Sequence, residues 1–287
     1  MRYILLLIGI MTISLCILLR NVKESFTVKK KVVFLFSGNA RTFPFSKDTH
    51  KRSHEILESY NRYVFTESFK KKYDYEIYIT CDHLDLEDTL RYFSENHIKN
   101  IHLLDDDYYL TTKDTNTNTK NIEYYLNKYN EKDWSHYLKH EGSIHQHYKI
   151  LDCYQMAKKD NNIHNSDYIV RMRMDIEMTR DLEEIIGMIE KTPGVEIVIH
   201  YDWFALGKPS IMEWYCTGLE HNYGNYNYNV PVPDTLPVMN DYGRDDIQRW
   251  TYSAERQLFE MLYDYCVQRK LDINQTIRSE QLCTIKR

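Results

Sequence analysis

Four side chains in one stretch carry the chemistry this sequence can do. In Tyr168-Ile169-Val170-Arg171-Met172-Arg173-Met174-Asp175-Ile176-Glu177, two arginines and then two carboxylates occupy alternate positions. The stretch opens as an apolar, β-branched run, the pattern of a buried strand. On a strand, positions i and i+2 share a face, so Arg171 and Arg173 point together, and so do Asp175 and Glu177. Guanidinium forks grip phosphate, and hard carboxylate oxygens hold Mg²⁺ or Mn²⁺. The pattern therefore suits a diphosphate bridged by a divalent metal. The plainer alternative is that both arginines pair with acids beside the strand.

The elements that must position these groups alternate between strands and helices, which argues an α/β domain with a mainly parallel central sheet. Lys31–Phe36 reads as a first buried strand, followed by the small, polar loop Ser37-Gly38-Asn39-Ala40-Arg41-Thr42. Free backbone amides there can accept a nucleotide, and Arg41 adds a cation; a plain strand-to-helix turn is the other reading. A helix is expected over His54–Lys70, closed by three lysines that suit its C-terminal dipole. Tyr75–Thr80 is a second strand, with Asp82 at its end as a contact for ribose or base, or as a cap for the next helix. Ile101–Leu104 is a third strand, running into Asp105-Asp106-Asp107, read as a solvated turn. Thr111–Lys120 is a polar, low-complexity loop.

Ser143–Lys159 is the strongest helical pattern, with Ser143 as its cap. Ile144, Tyr148 and Leu151 form one stripe, which Ile150, Tyr154 and Ala157 widen. His145 and His147 stand at i and i+2 and cannot share one helical face to hold zinc. Asp181–Lys191 is a short acidic helix, and Val195–His200 another buried strand that runs into Tyr201-Asp202-Trp203-Phe204. Asp, Trp and Phe at a strand end can line a sugar pocket, or the rings can simply be core. His221–Gln248 has no period, and a loop of that length inside a domain is usually functional or disordered; it reads as an acceptor-side loop. Ser253–Arg269 is the last expected helix, with Glu255 in its first turn.

In open α/β sheets ligands bind at the carboxyl ends of strands. Ser37–Arg41, Asp82, Asp175–Glu177 and Asp202 are thus expected to converge on one edge.

Composition sets the outer bounds. The chain has 287 residues, 43% hydrophobic and 28% charged, enough for one full core. A net charge of −5 gives no reason to expect a nucleic-acid partner. The 25 tyrosines are unusual and fit an AT-rich coding bias, although they also offer stacking and hydroxyl groups to a sugar site. Six cysteines occur without any CxxC pair, which indicates neither a disulfide framework nor a zinc knuckle.

The chain divides into a membrane anchor over 1–20, a basic linker over 21–30 and an α/β domain over 31–287. Tyr3–Leu19 is apolar and just long enough to span, and no small-x-small cleavage site comes after it. The lysine and arginine bias after the anchor puts the body in the cytosol, with a lumenal type II arrangement as the alternative. Asn274-Gln275-Thr276 is a sequon of the kind chance often supplies.

Taken together, Arg171-x-Arg173-x-Asp175-x-Glu177 resembles the Arg-x-Arg-x-Asp segment of a group of nucleotide-sugar glycosyltransferases with the Rossmann-like GT-A fold. Phe34–Arg41 is similar to that group's N-terminal segment, and His145-Gln146-His147-Tyr148-Lys149 to its helix before the acidic motif. Asp202-Trp203-Phe204-Ala205-Leu206-Gly207 is similar to its Asp-x-Phe-Ala-x-Gly stretch, and Ser253-Ala254-Glu255 to its final helix start. The resemblance covers roughly Val32–Lys270, carried by the order and spacing of the motifs, with Glu177 where the group has a second aspartate. It implies a nucleotide-sugar donor, a glycan, protein or lipid hydroxyl acceptor, and a metal (Mn²⁺ or Mg²⁺) on Asp175 and Glu177. Ser37, Gly38, Asn39, Arg41, Asp82, Gln146, Lys149, Arg171 and Arg173 would contact the donor. Asp202 and Glu255 are the candidate bases for an inverting reaction. A catalytically inactive, membrane-anchored carbohydrate-binding or scaffold protein of the same fold is the reading from another class. A P-loop or kinase-type phosphoryl transferase and a Ser-His-Asp hydrolase lack their signatures here.

Overall fold

A computed structural model describes residues 28–39, 43, 45, 53–82, 84–94, 98–103, 122–130, 140–221 and 254–285. The anchor expected over 1–20, Ala40–Thr42, the Asp105–Asp107 triplet and the loop residues 222–248 lie outside these. No helix among the described residues is long and apolar enough to cross a membrane. The chain divides into two compact units, Met1–Lys30 and Lys31–Arg287.

The second unit is a mixed α/β domain. Its strands are β1 (Lys30–Asn39), β2 (Tyr73–Asp82), β3 (Ile98–Leu103), β4 (Tyr168–Met172), β5 (Ile176–Met178), β6 (Ile197–His200), β7 (Phe204–Gly207), β8 (Ile277–Ser279) and β9 (Cys283–Ile285). Seven of them form one sheet in the order β3-β2-β1-β4-β7-β6-β8, and β5 pairs with β9 in a separate two-stranded ribbon. β1 runs parallel to β4, β2 to β3, and β6 to β8. β7 runs against both of its neighbours, β4 and β6. The sheet is thus mainly parallel, with β7 reversed against its neighbours.

Helices α1 (Ser53–Tyr63), α2 (Glu67–Lys72), α3 (Leu86–Ser94), α4 (Ile122–Asn130), α5 (His140–Lys159), α6 (Leu182–Lys191), α7 (Pro209–His221), α8 (Ala254–Arg269) and α9 (Ile273–Thr276) connect or cover the strands. The single helix expected over His54–Lys70 is two. The chain leaves α1 after Tyr63, and Thr66 restarts it by accepting from the Phe69 amide at 3.0 Å, an N-cap bond that supplies a partner the new helix end lacks. Ser143 is not a cap: it lies inside α5 and is buried.

Alternation along β1 and β4 sends side chains to both sheet faces. Val32, Phe34, Phe36, Val170 and Met172 join α1, α2 and α6 in one core. Phe34 touches the rings of Phe65, Phe69 and Tyr75 at centroid distances of 5.2, 5.9 and 6.0 Å; each fully buried aromatic stabilises by roughly 1.5–3 kcal/mol. Val33, Leu35 and Ile169 face the other way, against α5, α7 and α8. The two apolar stripes of α5 serve different neighbours. Ile150, Tyr154 and Ala157 pack on the sheet, and Ile144, Tyr148 and Leu151 pack on α4, Leu219 and Met261.

The stretch Tyr168–Glu177 is not one strand. β4 ends at Met172, Met174 and Asp175 form a turn, and β5 begins at Ile176 in the other sheet. Alternation along a single strand therefore does not relate Asp175 to Glu177. Ser37, Gly38 and Asn39 likewise belong to β1 and not to a loop after it. The turn Tyr201–Trp203 closes a β6–β7 hairpin, with His200 opposite Phe204, where the sequence suggested one strand; of its two readings for the rings, core fits, since Phe204 is buried in the core and Trp203 packs against it.

Candidate functional site

The strand order reverses its sense of progression between β1 and β4: β2 and β3 lie on one side of β1, and β4 on the other. In a parallel sheet such a switch leaves a crevice at the strands' carboxyl ends. Ser37 and Gly38 are the last residues of β1 before Asn39 ends it, and Arg171 and Arg173 lie at the end of β4 beside them. Leu35 is opposite Arg171 in the register, so Ser37 lies two residues beyond it on the same face.

Arg171 is wholly buried. Its Nε donates to Ser37 Oγ at 3.1 Å and its Nη1 to the Asp202 carbonyl. Its Nη2 has no partner among the described residues. Both acceptors are neutral, so the guanidinium keeps its positive field while presenting no surface to a ligand. Of the two arginines, Arg173 is the one that keeps some surface, its side chain 16% exposed. Its Nε and Nη2 donate to Asp175 Oδ1 and Oδ2 at 2.8 and 2.7 Å, a two-pronged pair. Its Nη1 lies 3.6 Å from Asp202 Oδ2.

The backbone around Arg173 is pinned. Its amide donates to the Trp203 carbonyl at 3.0 Å, and its carbonyl accepts from Tyr60 Oη at 3.2 Å. Burial, with the Asp175 charge adding to it, pushes the Tyr60 phenol well up, so it stays a donor. Gly38 faces the stem: a Cβ there would sit 3.6 Å from Arg173 Cγ, and its φ of +134° is one that L side chains rarely adopt.

Asp202 is delivered by the hairpin turn, in which Tyr201 holds a positive φ of 47° and the Trp203 amide donates to the His200 carbonyl at 3.1 Å. Gln146 Nε2 donates to Asp202 Oδ2. Asp202 Oδ1 is buried without a partner among the described residues. Gln146, Lys149 and Asp152 stand at i, i+3 and i+6 along α5 and form a polar rail over the sheet end. Lys149 Nζ meets Asp82 Oδ2 at 3.2 Å. Asp152 Oδ2 accepts from Thr80 Oγ1 at 2.9 Å and lies 2.8 Å from His102 Nδ1. Asp82 is thus held by α5 and does not cap the following helix, a task that falls to Asp85.

His200 sits behind the turn. Burial lowers it to about 4, against the opposing pull of Asp202, so the ring is neutral. Its Nδ1 accepts from the Leu282 and Cys283 amides at 3.2 and 3.1 Å, which ties the turn to β9. Burial also pushes the Cys283 thiol up to about 12.

The expected residues therefore divide. Ser37, Gly38, Arg171, Arg173, Asp175, Asp202 and Gln146 form one connected cluster. Lys149 and Asp82 adjoin it through α5. Glu177 lies on the β5–β9 ribbon, where its carboxylate accepts from Thr284 Oγ1 at 3.3 Å. Arg41 and the side chains of Asn39 and Glu255 fall outside the described residues. Sequence reasoning missed Tyr60, His200 and the Thr80–Asp152–His102 group. Asp152, three residues after Lys149 on the polar rail, carried a readable signal; the other residues carried none.

No protein-family profile matches the chain, and no curated protein matches it. Among solved structures it is similar to mouse xyloside xylosyltransferase 1 in its apo form, with a TM-score of 0.41 and 9% identity over 88% of this chain and 86% of that one. It is also similar to a Desulfovibrio desulfuricans protein described as a nucleotide-diphospho-sugar transferase, with a TM-score of 0.38 and 8% identity over 88% and 80%. A third is a Bacillus anthracis protein described as a glucose-1-phosphate thymidylyltransferase, in complex with sucrose, with a TM-score of 0.37 and 8% identity over 90% and 89%.

Proposed function

We propose that this chain is a glycosyltransferase of the Rossmann-like GT-A kind, moving a sugar from a nucleoside-diphosphate sugar to a hydroxyl acceptor. One observation carries the reading: two arginines end β4 beside the Ser37–Gly38 end of β1, at the switch point where parallel sheets take up nucleotides. A partly exposed arginine at the strand end fits a diphosphate ligand better than an uncharged one.

The carboxylates of Asp175 and Glu177 have the right oxygen chemistry for Mn²⁺ or Mg²⁺. Their arrangement does not fit a resident ion. Both oxygens of Asp175 already accept from the Arg173 guanidinium, and Glu177 bonds across its own ribbon. No group of three His, Cys, Asp or Glu side chains among the described residues could hold a metal.

In this mechanism Arg173 binds the diphosphate and Arg171 adds positive potential from beneath, stabilising the charge that builds on the leaving group. The acceptor hydroxyl attacks the anomeric carbon and loses its proton to a carboxylate. Asp202, with one buried oxygen still without a partner among the described residues, is the candidate base, and Glu255, near the start of α8, is the other. The acceptor is a glycan, protein or lipid hydroxyl, and residues 1–20 tether the domain to a membrane, with the body on the cytosolic side by the charge bias.

The test incubates the purified full chain with a panel of nucleotide sugars and acceptors and measures nucleoside diphosphate release. Transfer or hydrolysis with one donor, lost in Arg173→Ala, supports the proposal. Sugar binding with no nucleoside diphosphate binding would favour the inactive carbohydrate-binding protein instead.

A further inference from the structure

We infer that Arg173 and Asp175 form a clasp that the donor opens: its diphosphate displaces the Asp175 carboxylate from the guanidinium, which takes the role a divalent cation would otherwise fill. The inference rests on the transferase reading and deepens it.

Three features of the geometry support the exchange. First, the two nitrogens that Arg173 gives to Asp175, Nε and Nη2, form the fork that also matches two phosphate oxygens. Second, the two arginines differ in reach. Arg171 is sealed in, whereas the Arg173 side chain keeps 16% of its surface, so only the latter is in a position to meet a ligand. Third, the stem and the head of Arg173 are held differently. Its amide and carbonyl are fixed by Trp203 and Tyr60, and its Nη1 keeps Asp202 at 3.6 Å. Letting go of Asp175 therefore leaves the guanidinium anchored at the strand end.

The charges act on the exchange from both sides: the two arginines attract the diphosphate, and the displaced Asp175 and the nearby Asp202 oppose it. At rest Arg173 is neutralised by Asp175 and faces Asp202. A diphosphate that replaces one carboxylate brings more negative charge to the same fork and gains the field of Arg171 behind it. Asp175 is thus a competitor that keeps the arginine folded and satisfied when no donor is present, and not a metal ligand.

The experiment is calorimetric titration of the full chain with a set of nucleoside diphosphates, and separately with inorganic pyrophosphate, in EDTA and in Mn²⁺. The clasp predicts that the wild type binds its nucleoside diphosphate with a Kd that agrees within about twofold between the two buffers. Asp175→Asn, which keeps the shape and removes the competing charge, tightens binding about tenfold, or about 1.4 kcal/mol. Arg173→Lys, which loses the fork, weakens it at least about tenfold. Binding that needs Mn²⁺, or that Asp175→Asn weakens, overturns the clasp while leaving a metal-dependent transferase standing. The wild-type comparison between buffers decides this even if a variant does not fold. Absence of nucleoside diphosphate binding in both buffers overturns the transferase reading and the clasp together.

Discussion

Replacing Lys149 by methionine tests whether the helix rail is as dry as the structure has it. Lys149 Nζ and Asp82 Oδ2 are 3.2 Å apart, and the two side chains are only 7% and 10% exposed. At an effective dielectric of about 20 the gross attraction is about 332/(20 × 3.2), or about 5 kcal/mol. Most of that is cancelled by the cost of taking both charges out of water, so the pair's net worth is small. Removing one partner is different. Asp82 Oδ1 already lacks a partner among the described residues, and without Lys149 its charge is buried with nothing opposite. The expected loss is about 3–5 kcal/mol, or roughly 10 °C in Tm for a unit of this size. Asp82→Asn alone strands the ammonium and costs a similar amount. The double variant Asp82→Asn/Lys149→Met removes both charges and regains most of the loss, giving a coupling energy of at least about 2 kcal/mol in a double-mutant cycle. Chemical and thermal denaturation of the four proteins measures it. Single variants that each cost less than about 1 kcal/mol, with no coupling, would mean that water reaches the pair and that α5 does not seat on β2 as described.

Local geometry sets three further outcomes. His200 is lowered to about 4 by burial, against 6.5 for a free imidazole, so the unfolded chain binds the extra proton between those values. Stability is full above about pH 6.5 and falls as pH drops towards 4, by about 1–3 kcal/mol after allowing for solvent screening. In His200→Asn, whose side-chain oxygen can still accept from the Leu282 and Cys283 amides, denaturation midpoints should show a flatter slope over that window. Gly38→Ala has room for its methyl but not the backbone, given φ of +134°, and should cost about 1–3 kcal/mol in urea melts. Gly218→Ala puts a methyl 1.9 Å from Met261 Sδ, where α7 meets α8; a loss of about 1–3 kcal/mol is expected, recovered in part by Met261→Ala.

How much of the fold was legible in the sequence depended on range. The strands of the parallel sheet announced themselves, because strands buried on both faces must be apolar throughout, as Val32–Phe36 and Tyr168–Val170 are. The two stripes of α5 were also visible, since a helix touching two cores needs apolar residues at two sets of helical spacing. The failures came where the chain changes direction. Arg171 to Glu177 alternates like one strand, yet the turn at Met174–Asp175 moves Glu177 into another sheet, and nothing between those residues marks a break. β7 and β9 are short and lie in antiparallel pairs whose partners are set by tertiary contact, so local pattern could not reveal them. The fully buried state of Arg171 was unreadable for the same reason: an arginine after an apolar run looks like the run's polar end.

That burial changes how the arginine pair works. Spacing alone gives Arg171 and Arg173 the same role, because alternate strand positions share a face. In the folded chain their environments separate them. Arg171 donates to a serine hydroxyl and a backbone carbonyl and has no exposed surface. Desolvating a guanidinium without a bonded carboxylate is costly, and an Arg171→Met variant that gained stability while losing anion binding would show that this cost is retained for its field. Arg173 has the opposite settlement, with two carboxylates within reach and some surface left. In the proposed function one arginine supplies potential and the other supplies the bond. On the proposed reading, an anion at the strand end displaces Asp175 from a fork already shaped for it, with a positive charge beneath that no carboxylate bond cancels.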